Sequence, residues 1–159
     1  MLEQRLTRER LPVRVVNASI SGDTTSGGRA RLPSLLAKHQ PTHVLIELGG
    51  NDALRGLPLK ATEDNLDHMA QISRQAGAKV LLIGMQVPPN YGEEYGKAFA
   101  RSFAKVATQQ KIPLVPFLLK GVADLPDSER LFQADRIHPR EEAQPQMVDN
   151  VWPVLKKLL

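Results

Sequence analysis

The acid and histidine of the stretch FQADRIHPRE are the residues whose types and spacing most readily suggest chemistry, since Asp135 stands three residues before His138. Histidine is the common general base near neutral pH. A carboxylate on its second ring nitrogen fixes the tautomer and stabilises the imidazolium. The same spacing also fits a surface loop with an ordinary ion pair, so both interpretations stay open on these residues alone.

Two glycine-containing stretches could supply hydrogen-bond donors to a reacting group. In LGGND, Gly49 and Gly50 allow a sharp turn, and Asn51 then offers a side-chain NH₂ that could bind a developing oxyanion. In ISGDTT, Gly22 could present a backbone N–H where a side chain would block access. Both stretches also fit simple turns, because Gly, Asn and Asp favour turns for conformational reasons.

The stretch PPNYG offers Asn90 and Tyr91 as residues of a substrate-binding wall, although a rigid turn explains it equally well. The remaining histidines show no metal-ligand spacing, and the chain has no cysteine. We therefore expect neither a metal nor another cofactor.

Composition narrows the class of protein. The 159 residues fit a single domain, 1–159, that can bury a proper core. No apolar run of about 18 residues is present, so we expect no integral membrane segment. The net charge of +4 comes from scattered lysines and arginines without interleaved aromatics, which argues against a nucleic-acid partner. The charged stretch MLEQRLTRER shows no signal peptide.

Apolar runs alternate with helical patterns along the chain. Continuous rather than alternating apolar runs favour a parallel sheet that is buried on both faces. The predicted strands are Val13–Ile20, Thr42–Gly50, Ala78–Gln86 and Ile112–Phe117. The clearest predicted helices are Leu2–Arg10, Thr62–Gln75 with Thr62 as N-cap, Tyr95–Gln110 and Glu141–Leu159. This order predicts a three-layer α/β/α sandwich, whose working loops follow the carboxyl ends of the strands.

Taken together and in order, VVNASISGDT, VLIELGGNDALRG, PPNYG and ADRIHP resemble the SGNH (GDSL-type) serine hydrolases, in particular the bacterial periplasmic acyl-CoA thioesterase, lysophospholipase and arylesterase type. The resemblance implies a flavodoxin-like parallel sheet and hydrolysis of acyl esters and thioesters. It implies that Gly22 and Asn51 are oxyanion donors, and that Asp135 and His138 are the acid and base of a triad. It also implies that Asn90 and Tyr91 border the acyl site.

The nucleophile motif of such enzymes, Gly-Asp-Ser after a first strand, does not occur in this sequence. None of the seven serines lies in it, and Gly22-Asp23-Thr24 imitates it only superficially, because its surroundings resemble the family's second motif. We expect the serine to lie upstream of Met1 on a central strand that is missing here. The 159 residues would then be an N-terminally truncated domain that is nearly inactive.

The resulting expectation is a serine ester hydrolase for small-molecule acyl substrates, monomeric when complete and, by resemblance, periplasmic. One alternative is an inactive relative that binds acyl or lipid ligands, which the lack of the serine favours and the Asp135–His138 pair disfavours. Another is a sugar-ester deacetylase on the same scaffold, which would differ only in the shape of its pocket.

Overall fold

The computed structural model describes residues 1–159 and contains three parallel strands with helices on both faces. The strands are β1 (His43–Ile46), β2 (Lys79–Ile83) and β3 (Leu114–Val115), in the order β1-β2-β3. The helices are α1 (Leu2–Arg8), α2 (Thr25–His39), α3 (Gly50–Leu54), α4 (Leu59–Gln75), α5 (Glu93–Gln110) and α6 (Gln144–Leu155). Three short 3₁₀ turns cover Pro89–Tyr91, Ser128–Leu131 and Glu141–Ala143.

The central strand β2 explains the continuous apolar runs. Val80 and Leu82 point into a core formed with α4 and α5, while Leu81 and Ile83 point into a second core formed with α1 and α6. Because both faces are buried, every position of the strand after Lys79 has to be apolar. This arrangement confirms the prediction of a three-layer α/β/α fold with a parallel sheet.

The predicted first strand, Val13–Ile20, is not a strand in the structure. No backbone–backbone hydrogen bond joins residues 14–19 to another part of the chain. Val13, Val16 and Ile20 are exposed, at 36%, 42% and 58% of their surface. A β-branched run becomes a strand only when a neighbouring strand takes up its N–H and C=O groups, and here no strand does.

The other elements are mostly shorter than the sequence indicates. The run Thr42–Gly50 forms a strand only over His43–Ile46, and its final glycine already begins α3. Thr62 does not cap α4, because that helix begins at Leu59 behind Pro58. Pro145 and the 3₁₀ turn before it delay α6 to Gln144, which shortens the helix predicted from Glu141.

The C-terminal residues close the amino end of the sheet. The backbone oxygen of Leu158 accepts a hydrogen bond from Lys79 Nζ and lies 2.9 Å from His43 Nε2. His43 and Lys79 are the first residues of β1 and β2, so the chain terminus lies opposite the carboxyl ends of the strands. None of the six α-helices combines the length with the apolar composition that a membrane-spanning helix needs.

Candidate active site

Asp135 and His138 form a direct pair in a tight loop before α6. His138 Nδ1 lies 2.7 Å from Asp135 Oδ2. The loop is closed by the backbone N–H of Gln133, which donates to the oxygen of His138 at 2.8 Å. Pro139 disfavours a helical conformation of the preceding histidine. The imidazole is therefore held through one nitrogen, and Nε2 has no partner within the chain.

The Asp135 carboxylate is stabilised in its ionised form. The hydrogen bond from the His138 side chain lowers its pKa to about 2, and the backbone N–H groups of His138 and Ile137 contribute in the same direction. Both N–H groups donate to Oδ1, at 3.0 and 2.9 Å. Asp135 thus stays negatively charged at any ordinary pH and can stabilise a positive charge on the imidazole.

A hydrogen bond joins the loop of Gly22 to Asn51 across 28 positions of the chain. Asn51 Nδ2 donates to the backbone oxygen of Asp23 at 2.9 Å. This bond uses one of the two amide hydrogens of Asn51 and leaves the second for another acceptor. The two candidate oxyanion donors are therefore held on one surface, at the carboxyl end of β1.

The glycines of this surface are required by the backbone. Gly22 has φ +75° and Gly49 has φ +117°, both in the region that side chains disfavour. A Cβ on Gly49 would also lie 3.2 Å from Phe103 Cζ, so the aromatic ring of α5 packs directly under this turn. The turn allows β1 to end and α3 to begin within four residues, which brings Asn51 to the edge of the sheet.

A buried carboxylate, which the sequence analysis did not single out, braces this surface from below. Asp52 is 2% exposed and accepts hydrogen bonds from the backbone N–H of Thr25 at 2.8 Å and from the Thr25 hydroxyl. The Thr62 hydroxyl, within α4, adds a third bond at 3.3 Å. Asn65 Nδ2 donates in turn to Thr25 Oγ1 at 3.0 Å.

Asn90 and Tyr91 lie on the short 3₁₀ turn before α5. Asn90 is exposed, and its side chain makes no hydrogen bond. Tyr91 begins a row of aromatic rings with Tyr95, Phe99 and Phe103, whose neighbouring centroids are 6.3, 6.5 and 5.2 Å apart. The row connects the turn to the core beneath Gly49.

The structure groups the candidate site residues into two pairs and the separate turn that carries Asn90 and Tyr91. Gly22 and Asn51 are brought together, Asp135 and His138 are brought together, and no hydrogen bond joins one pair to the other. Thr24 is occupied as the N-cap of α2, where its hydroxyl accepts from the N–H of Gly27 at 3.4 Å. No cluster of side chains with metal-binding chemistry is present.

Comparison with known proteins gives the family. Residues 1–144 match the GDSL-like Lipase/Acylhydrolase family. The chain belongs to this family. It is 55% identical to Esterase TesA of Pseudomonas aeruginosa, over 100% of the chain and 78% of the relative. It is 47% identical to Thioesterase 1/protease 1/lysophospholipase L1 of Escherichia coli K12 over 135 residues, 85% of the chain and 64% of that protein.

A solved structure supports the same membership at the level of the fold. The crystal structure of TesA superposes with a TM-score of 0.95 at 55% identity, covering 99% of the chain and 86% of the TesA chain. The membership confirms the resemblance drawn from the four motifs. The family is described as one of GDSL-like lipases and acylhydrolases.

Proposed function

We propose that this chain forms most of a serine ester hydrolase acting on acyl esters and thioesters. The observation that carries the proposal is the Asp135–His138 pair, in which Asp135 binds Nδ1 at 2.7 Å and leaves Nε2 free. A histidine held in this way accepts a proton at Nε2 and returns it to a leaving group. The names of the relatives, an esterase and a thioesterase/lysophospholipase, agree with this reaction class.

A residue can be assigned to each step of the proposed hydrolysis. A serine hydroxyl attacks the carbonyl carbon of the substrate and gives its proton to His138 Nε2. The oxygen of the carbonyl becomes an oxyanion, which the Gly22 N–H and the second amide hydrogen of Asn51 stabilise. His138 then protonates the leaving alcohol or thiol, which leaves an acyl-serine ester. Water attacks this ester, gives its proton to His138 Nε2, and releases the acid as His138 returns the proton to the serine oxygen. Asn90 and Tyr91 border the acyl chain in this proposal.

We place the serine on a strand outside residues 1–159 that pairs between residues 13–20 and β1. Three features support this position. Residues 14–19 make no backbone–backbone hydrogen bond, β1 pairs only with β2, and the apolar side chains of Leu45, Val13 and Val16 are exposed. A strand inserted there would satisfy both edges and cover the apolar side chains. Its carboxyl end would reach the edge that holds Gly22 and Asn51.

The complete protein is, in this proposal, a monomeric periplasmic enzyme with a small-molecule substrate and no nucleic-acid partner. A monomer is consistent with the insertion of the strand, because pairing removes the exposed edge that would otherwise invite self-association. The proposed compartment follows from the family resemblance.

The test compares the 159 residues with the same chain extended upstream through the preceding coding sequence. Both are assayed with nitrophenyl esters of several lengths and an acyl thioester, and both are treated with a fluorophosphonate and weighed intact. We expect turnover and a single adduct only in the extended form. His138→Ala and Asp135→Asn in that form serve as matched controls that lower the rate. Absence of reaction in both forms would favour an acyl-binding relative, and reaction of the short form would place the nucleophile within it.

A further inference from the structure

Asn51 of α3 and Arg55, the C-cap residue of that helix, donate to two consecutive carbonyl groups of the Gly22 loop. Asn51 Nδ2 donates to the oxygen of Asp23 at 2.9 Å, and Arg55 Nη2 donates to the oxygen of Gly22 at 2.8 Å. Asn51 and Arg55 are four residues apart, a spacing that places side chains on the same side of a helix. The loop is thus held at adjacent peptides by one short helix and its C-cap residue.

A glycine depends on hydrogen bonds from its surroundings to keep one backbone conformation more than other residue types do. It has no side chain to pack, and glycine adopts positive and negative φ with similar ease. The φ of +75° at Gly22 is therefore maintained by the hydrogen bonds on either side of it. Besides the bonds from Arg55 and Asn51, the turn is closed by the N–H of Asp23, which donates to the oxygen of Ile20 at 3.2 Å.

Arg55 is free to serve this purpose because it has no other evident partner. It is exposed and takes part in none of the ion pairs of the chain. Arg31 provides a contrast, since its guanidinium is bound by the Asp23 carboxylate at 2.8 Å. An ideal Cβ on Gly22 would lie only 3.7 Å from Arg55 Nη2, so the guanidinium lies directly against this loop.

We infer that Arg55 is a positioning residue, which holds the Gly22 peptide so that its N–H is directed at the substrate oxyanion. The inference rests on the proposed function, in which Gly22 is an oxyanion donor. Arg55 acts through the loop and does not itself contact the reacting atoms. Its removal should disorder Gly22 and lower the rate of the chemical step without weakening the binding of a neutral ester.

The first test uses the 159 residues and does not depend on activity. Backbone ¹⁵N relaxation is measured for Arg55→Met, for Arg55→Lys and for Arg101→Met, an exposed arginine of α5 without an ion-pair partner. In Arg55→Met we expect the order parameter of the Gly22 amide to fall to about 0.6 or below, from the value of about 0.85 that is typical of rigid backbone. Arg55→Lys, which can still donate one bond to the Gly22 oxygen, should recover most of the order, and Arg101→Met should change nothing. An unchanged Gly22 amide in Arg55→Met would overturn the inference.

The second test measures kcat and KM for a neutral nitrophenyl ester in the extended chain. Arg55→Met should lower kcat by about tenfold or more, a smaller loss than removal of an oxyanion donor, while KM stays within about twofold. Arg55→Lys should restore most of kcat. The inference would also be overturned if a variant with a mobile Gly22 had a normal kcat. It would be overturned as well if the only defect were a raised KM for anionic substrates. Inactivity of the unmodified extended chain would instead refute the proposed function.

Discussion

The carboxylate of Asp52 binds both the backbone N–H and the hydroxyl of Thr25, a residue 27 positions earlier in the chain. Thr25 is the first residue of α2, and Asp52 lies within α3. One buried side chain therefore fixes the start of the helix that follows the Gly22 loop relative to the helix that carries Asn51. The spacing between the two candidate oxyanion donors depends on this contact.

Replacing Asp52 with alanine should destabilise the fold markedly. The change leaves the N–H and the hydroxyl of Thr25 buried without an acceptor, and we expect the free energy of unfolding to fall by about 3 kcal/mol. Urea denaturation measures the loss. Asp64→Ala, which removes an exposed carboxylate paired with Lys60 on α4, is the matched control and should cost less than about 1 kcal/mol. Equal effects of the two substitutions would contradict the bracing role.

The pKa of Asp135 can be measured directly by following its carboxyl ¹³C signal with pH. We expect a value of about 2 in the unmodified chain, because the His138 side chain donates a hydrogen bond to the carboxylate. In His138→Ala the pKa should rise towards its ordinary value of 3.8, yet stay below it, since the backbone N–H of Ile137 still donates. A pKa that does not respond to the substitution would show that the pair is not formed in solution.

The same shift determines how Asp135 affects stability. Its pKa is lower in the folded chain than in the unfolded chain, so the folded state favours the ionised form. The stabilisation is fully present above the unfolded pKa, near pH 4, and disappears as the pH falls towards about 2. Acid denaturation of Asp135→Asn should therefore be less steep between pH 4 and pH 2 than that of the unmodified chain, as followed by circular dichroism.

Replacing Tyr95 with phenylalanine should stabilise the fold. The Tyr95 hydroxyl is buried and has no hydrogen-bond partner, while its ring is stacked between Tyr91 and Phe99. Phenylalanine keeps the stacking and removes the unsatisfied hydroxyl, so the free energy of unfolding should rise by about 1 kcal/mol. Thermal and urea unfolding of the two proteins give the comparison. A loss of stability would mean that the hydroxyl is satisfied by an internal water molecule.

Asn51→Ala should be among the most damaging substitutions for activity in the extended chain. It removes the free amide hydrogen proposed for the oxyanion, and removal of one such donor typically lowers the rate on the order of a hundredfold. It also removes the bond to the oxygen of Asp23 and so loosens the Gly22 loop. Nitrophenyl-ester kinetics should show the loss in kcat. Asn65→Ala, at a residue that binds only Thr25 and Arg29, offers a neighbouring control with a much smaller effect on kcat.

The sequence indicated the layers of the fold because the apolar pattern of β2 allows few alternatives. Leu81 and Ile83 face one core while Val80 and Leu82 face the other, and only a sheet covered on both sides gives such a run. The failure at Val13–Ile20 has an equally simple cause. The residue types determine the propensity for a strand, but a strand forms only when two segments pair. The sequence does not show which segments pair.

The candidate site was predictable to the extent that its contacts are local. Asp135 and His138 are three residues apart, so their pairing could be inferred from the sequence, whereas Asp52 and Arg55 act on residues about 30 positions away. The segment GNDALR gave a missed signal. A turn predicts no common direction for these side chains. In the structure the segment forms α3 with Arg55 as its C-cap, and the four-residue spacing brings Asn51 and Arg55 to the same side.

The position of Leu158 over the first residues of β1 and β2 has a practical consequence for handling the protein. A chemical handle, a dye or a solid support attached after Leu159 would project from the end of the sheet opposite to Gly22 and Asn51. Chains immobilised through that point would be oriented alike, with the loops of Gly22 and Asn51 turned towards the bulk solution. Coupling through the terminus thus keeps large or particulate substrates within reach of the immobilised chain.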